Sequence, residues 1–189
     1  MSEDSQEQIL DAVAEVIVRD GVRGASMRTV AQEAGVSLGL LSYHFTDKSS
    51  LITAAYARAA DRLLDASVEA AKGVDDPSDR LRAYIRGAFQ DEFLDQRYLI
   101  LRLSLWAVAR TEPEVASVEQ DLYVQYFDRM VELISAADDT LTDREALDRA
   151  TDVIVTQNGL WLNWGRFENR DQLERGLRRC EEIALHGVG

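Results

Sequence analysis

Apolar residues recur along this chain at helical spacing in one segment after another, with no sustained alternation that would predict a strand. In residues 6–20, Ile9, Val13, Val16 and Ile17 fall on one face of a helix that Gly21 is placed to end. Val30, Ala31 and Ala34 mark one face of a short second helix opened by Ser26. Leu41 and Phe45, four apart, mark a third opened by Ser37. Leu51, Ala55, Ala59 and Leu63 carry a fourth helix from near Lys48 to about Ala71, and the GVDDP break follows. Pro77 sits in the first turn of a helix expected to reach about Phe93, and Pro113 in that of one expected to reach about Ala136. Between them, Gln96 to Arg110 is apolar nearly all round, the pattern of a helix buried on several sides. Thr142 and Glu145 make a capping box for a helix to about Phe167, and a last helix spans Arg170 to about His186. The pattern predicts an all-α protein.

The stretch Met27 to Lys48, MRTVAQEAGVSLGLLSYHFTDK, adds a specific arrangement. Gly35 stands where the second helix must stop, and glycine takes a positive φ there without a Cβ penalty. Val36 tucks into the corner, and Ala31 is small where two helices cross nearly at right angles. Two short helices joined by such a turn form a helix-turn-helix, which lays its second helix in the DNA major groove. The expected organisation is an N-terminal three-helix helix-turn-helix domain over residues 1–50. A C-terminal helical bundle would occupy residues 51–189.

Charge qualifies that picture. The 189 residues carry a formal net charge of −13 with 46% hydrophobic and 29% charged residues, a folded composition rather than a disordered one. Within the first 50 residues Arg19, Arg23, Arg28 and Lys48 face Glu3, Asp4, Glu7, Asp11, Glu15, Asp20, Glu33 and Asp47. A generic basic DNA binder is excluded, and non-specific affinity should be weak and readily salted out. Helix N-termini and hydroxyls can still supply phosphate contacts without net charge.

Cys180 is the sole cysteine, so neither an internal disulfide nor a cysteine-rich metal site is expected. The acidic start MSEDSQEQ has no apolar signal segment, and the densest apolar run, Tyr98 to Ala109, is too short to span a bilayer; a cytoplasmic protein is expected. Two histidines, no metal-ligand cluster, no phosphate-cradling glycine loop and no nucleophile elbow argue against an enzyme, and no cofactor is expected.

The order of short helix, Ala-x3-Gly turn, second helix ending Tyr43-His44-Phe45, then Lys48 and a long helix, resembles the TetR family of bacterial repressors over about residues 6–56. The resemblance implies that Ser37, Leu38, Gly39 and Leu40 approach base edges. Leu38 and Leu40 could make only apolar contacts, such as with a thymine methyl, and Gly39 would let the backbone come close. It further implies that Tyr43, His44 and Lys48 lie against the sugar-phosphate backbone, and that Ser26, Arg28 and Thr29 grip phosphate at a helix start. Many members have Tyr where this chain has Ser42; the small hydroxyl resembles the branch related to choline-responsive repressors.

For the second domain, the aromatic residues Phe89, Phe93, Trp106, Tyr123, Phe127 and Trp161 are candidates for an effector pocket, Trp106 and Trp161 foremost. Asn158 would be a polar anchor for an unknown small molecule. Asp91 or Glu92 with aromatics could suit a cation. Helix 142–167 shows two apolar faces, Val153/Gln157/Leu160/Trp164 and Ile154/Asn158/Trp161/Gly165, so one of them should meet something outside its own domain. Helix 170–186 carries the stripe Leu173, Leu177, Cys180 and Ala184. These two helices are the expected homodimer interface, as the resemblance also implies, and a dimer would read a palindromic operator. The function expected is a DNA-binding, ligand-released repressor. The alternative, supported by the acidic charge, is a helical protein-interaction or small-molecule-binding module without DNA binding.

Overall fold

The computed structural model describes residues 2–188; Met1 and Gly189, the outer limits of the two expected domains, lie outside them. The described residues form helices joined by short connections, with no strand among them. They are α1 (Ser2–Gly24), α2 (Met27–Glu33), α3 (Leu38–His44), α4 (Lys48–Ala71), α5 (Pro77–Gly87), α6 (Asp91–Leu94), α7 (Gln96–Ala109), α8 (Pro113–Ala137), α9 (Asp143–Phe167) and α10 (Arg170–His186). The all-α expectation holds. No helix among the described residues is long and apolar enough to cross a membrane. α1 breaks at Gly21, where φ is 69° and ψ 172°, so the straight segment ends where the pattern placed its end.

The chain divides into two compact units, one ending at Asp61 but including Arg97–Leu122, the other made of Arg62–Gln96 and the residues from Tyr123 onward. The first unit therefore extends well past residue 50. Three short helices enclose little interior by themselves. Here Ile9, Val13, Val16 and Ile17 of α1, Val30 of α2 and Leu41 of α3 share one core with Leu51 of α4, Leu101 and Leu105 of α7 and Val115 of α8. The Tyr98 hydroxyl donates to the Ala59 carbonyl (3.1 Å), and Arg97 pairs with Glu15. α7 is buried on several sides, as its composition suggested, and leaves one side open. Leu99, Leu101 and Leu105 are buried, whereas Ile100 and Leu103 are exposed.

In the second unit the helix opened by Pro77 stops at Gly87 instead of reaching Phe93. α4 crosses closely at that point: a Cβ at Gly87 would stand 2.5 Å from Ser67 Cα and 2.9 Å from the Ala66 carbonyl oxygen. Beyond it the Phe89 N–H closes onto the Arg86 carbonyl (2.8 Å), and the single turn α6 carries Phe93 and Leu94 into the interior. From α5, Arg86 donates to Glu174 (3.0 Å) and Glu181 (2.6 Å) of α10. α10 packs along α9, where Gly176 leaves the space that Leu160 fills.

Thr142 and Glu145 form the expected capping box of α9. The expectation about the faces of α9 is corrected, however. Val153 and Gln157 on one face and Ile154 and Trp161 on the other are all buried, as are Leu173, Leu177, Cys180 and Ala184 of α10. The protomer itself takes up these positions, while Asn158, Leu160, Trp164 and Gly165 on the same faces are half-buried. The exposed stripe is a third one, formed by Leu147, Thr151, Val155 and Leu162. Burial pushes the Cys180 thiol up to about 12, which leaves it a packing group at neutral pH.

Candidate nucleic-acid interface

Local chemistry builds the α2–α3 pair. Ser26 is the N-cap of α2: its Oγ accepts from the Thr29 N–H (3.1 Å), while Thr29 Oγ1 accepts from the Ser26 N–H (2.8 Å). This is a capping box in which a threonine takes the place usually held by Glu or Gln. Thr29 Oγ1 also donates to the Gly24 carbonyl (2.8 Å). Both hydroxyls are thus engaged in starting the helix, the role expected of Ser26 and one that the sequence reading did not give Thr29.

α2 ends in a Schellman motif. Gly35 has φ 65°, its N–H donates to the Gln32 carbonyl (3.2 Å), and the Val36 N–H donates to the Ala31 carbonyl (3.0 Å). The Gln8 amide of α1 donates to the Ala34 carbonyl there (2.8 Å). Ser37 then caps α3, its Oγ accepting from the Leu40 N–H (3.1 Å). Leu41 and Phe45 anchor α3 in the core at 0% and 5% exposure.

The opposite face of α3 is open. Leu38, Leu40 and Tyr43 are 45%, 37% and 79% exposed, and Ser37 and Gly39 are exposed between and beside them. The His44 ring is half-buried and meets the Tyr43 ring edge-on, with centroids 5.2 Å apart. Arg28 is exposed on α2. Lys48 is placed differently: its ammonium donates to the Val22 carbonyl (2.8 Å), tying the start of α4 to the segment after the Gly21 break. Asp47 caps α4 through the Ser50 N–H (2.8 Å). Arg19 is held by Glu33 (2.7 Å) and Asp20 (3.0 Å), so this cation is already countered.

The effector candidates are divided between the two units, Trp106 in one and the others in the second. Phe89 and Trp161 stack at 4.8 Å and are both buried, and Phe93 is buried near the start of the same unit's α6 turn. Tyr123 and Phe127 stack at 6.1 Å, with Tyr123 exposed. Trp106 belongs to the other unit, where the Arg102 guanidinium lies 4.9 Å from its ring centre. Asn158 is only half-buried; its neighbour Gln157 is the buried polar group of α9. The Tyr126 hydroxyl donates to Gln157 Oε1 (3.0 Å), and Gln157 Nε2 donates to the Ile85 carbonyl (3.3 Å). Tyr126 stacks on Tyr84 at 5.1 Å, and burial raises the Tyr84 hydroxyl's pKa, keeping it protonated. Gln157 was visible as a polar residue on an apolar face, and that was the signal to follow. Asp91 and Glu92 are paired on the surface with Arg170 (3.1 Å) and Arg62 (2.7 Å).

A family model for bacterial regulatory proteins of the tetR family matches residues 9–55, and one for the C-terminal region of BetI-type transcriptional repressors matches residues 77–185. The HTH-type transcriptional regulator BetI of Stenotrophomonas maltophilia is 28% identical over 174 residues, covering 92% of this chain and 87% of that protein. A transcriptional regulator from Pseudomonas aeruginosa has a crystal structure that superposes with a TM-score of 0.88 at 26% identity, over 96% of this chain and 88% of that one. A regulator from Saccharomonospora viridis, solved in complex with choline, has the same fold: its TM-score is 0.79 at 17% identity over 98% of both chains. These matches favour a DNA-binding regulator over an interaction module and over an enzyme. The chain belongs to the TetR family of bacterial regulatory proteins and is a DNA-binding transcriptional regulator with a BetI-type C-terminal region.

Proposed function

We propose that this regulator represses by holding a palindromic operator as a homodimer, in the cytoplasm where the operator lies, and lets go when a small quaternary ammonium compound binds the unit containing α9 and α10. In this reading Ser37, Leu38, Gly39 and Leu40 meet base edges. Arg28, Tyr43, His44 and Lys48 meet the sugar-phosphate backbone, with Ser26 and Thr29 fixing the helix start that faces it. A seven-residue recognition helix reads few base pairs, and two of them related by a two-fold axis reach half-sites roughly 34–36 Å apart or a multiple of that.

Support for the dimer comes from the Leu147, Thr151, Val155 and Leu162 stripe on α9, beside which a Cβ at Gly159 would meet nothing within 4 Å. A partner helix can approach closely there. In this reading the interface lies on helices 142–167 and 170–186 and uses a face of α9 that the hydrophobic pattern did not single out.

The observation that carries the effector reading is Gln157. It is a buried amide held by Tyr126 and the Ile85 carbonyl, in a unit that also holds the Tyr84–Tyr126 and Phe89–Trp161 stacks. Ring faces attract a cation that lacks hydrogen-bond donors, and aromatic faces would do this where Asp91 and Glu92 are already paired. The BetI-type match and the choline complex of the Saccharomonospora viridis regulator agree with this class. The test is polarisation of a labelled duplex from the protein's own upstream region, titrated with choline. The expected result is release by choline from a complex containing twice the 21.2 kDa chain. A specific complex that choline and other quaternary ammonium ions leave intact would sink the effector reading, and a monomer bound to a single half-site would sink the dimer.

A further inference from the structure

We infer that the recognition helix reads thymines through their C5-methyl groups, with Leu38 and Leu40 as the reading side chains and Gly39 as the gap between them. This rests on the DNA interface proposed above and names the chemistry of its base contacts.

Side-chain inventory comes first. Residues 37–45 read SLGLLSYHF, without one Arg, Lys, Asn, Gln, Asp or Glu. Those are the residue types that form bidentate hydrogen bonds to guanine, adenine or cytosine edges in the major groove. The Ser37 hydroxyl is engaged as the α3 cap. What α3 offers at its N-terminal turn is therefore apolar surface. Of the four bases, thymine displays an apolar group there, the methyl at C5.

Geometry places that surface. At 100° per residue, Gly39 and Leu40 share the open side of α3 with Tyr43, opposite the buried Leu41, while Leu38 projects 100° to the other side of Gly39 and is exposed at the helix start. The core makes no use of the two exposed leucines. Nor does it require the glycine. Gly39 lies within α3, and a Cβ built on it would meet only Ser37 Oγ at 3.9 Å, an ordinary contact. Glycine weakens a helix relative to alanine, so its presence at the centre of the open face points to something outside the chain that must come close. A patch of bare backbone at Gly39 with a leucine directed to each side of it fits methyl groups on neighbouring base steps.

The probe is a duplex selected by this protein from a random pool, in which each thymine is then replaced singly by uracil. Uracil differs only by the missing methyl. Loss of one buried methyl should weaken binding roughly fourfold at each contacted thymine and leave the other positions unchanged. Leu38→Ala and Leu40→Ala should each abolish the uracil effect at their own positions while circular dichroism stays that of the parent protein. At a contacted position a 5-methylcytosine–guanine pair should be bound better than a cytosine–guanine pair, because it restores the methyl while the hydrogen-bonding groups are changed. A sequence-specific complex indifferent to uracil at every position would overturn the methyl reading and leave the interface standing. An unchanged uracil profile in both leucine variants would overturn the residue assignment. Failure to select any sequence would overturn the interface itself.

Discussion

α3 and α9 both present leucines to solvent, yet they do so on very different scales. On α3 the open apolar surface is Leu38 and Leu40, separated by Gly39 and contained within one helical turn. On α9 it runs from Leu147 through Val155 to Leu162, about 22 Å along the helix at 1.5 Å per residue. Each surface has a glycine that the chain's own packing does not require, Gly39 in one case and Gly159 in the other. A stripe of several turns suits another helix of equal length. A pair of leucines around a patch of bare backbone suits small groups on a regular lattice. Length of exposed apolar surface separates the two kinds of partner where hydrophobicity alone does not.

The comparison can be broken at its larger end first. Val155→Asp puts a charge in the middle of the α9 stripe, and sedimentation should then show a monomer. Operator affinity should fall by on the order of 100-fold or more, because the second half-site contact ceases to be intramolecular. A dimeric Val155→Asp protein with normal affinity would mean that the stripe is surface and no more.

Next in size are adjacent leucines of α3. Leu41→Ala removes a fully buried side chain and should cost about 2–5 kcal/mol in urea denaturation. Leu40→Ala should change stability by no more than about 0.5 kcal/mol. Equal losses would show that the open face of α3 is supported from within the chain. Gly39→Ala should instead raise stability by roughly 0.5–1 kcal/mol, seen as a higher Tm, while weakening operator binding. A variant that gained stability and kept full affinity would remove the case for close approach.

The smallest expected effect lies in the turn between α8 and α9, far from α3 in sequence. Hydrogen bonds from Thr140 hold the Asp138 carboxyl below its ordinary value, and those from the Thr142 backbone and hydroxyl do the same for Glu145. Lowered folded values stabilise the native state fully above the ordinary carboxylate range, near pH 4. That contribution is lost as pH falls through the lowered values. Both groups are solvent-facing, so Thr142→Ala should slightly flatten the acid limb of a Tm-against-pH curve and leave the neutral region shifted only by the lost cap.

The α2–α3 pair was legible because its determinants lie within four or five residues of each other. Ser26 and Ser37 cap, Gly35 turns, and Leu41 and Phe45 share a face, all without help from distant chain. Thr29 escaped notice because a capping box is usually sought as Glu or Gln at that position. Other features depended on contacts across many residues. Gly87 passes close to Ser67 on α4, and the burial along α9 needs α6 and α10 in place. The division of the aromatic candidates between two units was hidden for the same reason. Helical spacing says that Trp106 and Trp161 are inside, but not that they are inside different units.

The bond from Lys48 to the Val22 carbonyl bears on timing. The tether fixes where that charge sits without cancelling it, and with Arg19 already paired in a chain of net charge −13, DNA meets little to attract it at a distance. Association should then proceed without electrostatic steering, at about 10⁵–10⁶ M⁻¹s⁻¹. At such rates occupancy of the operator is governed by how long each visit lasts, and an effector would act chiefly by shortening it.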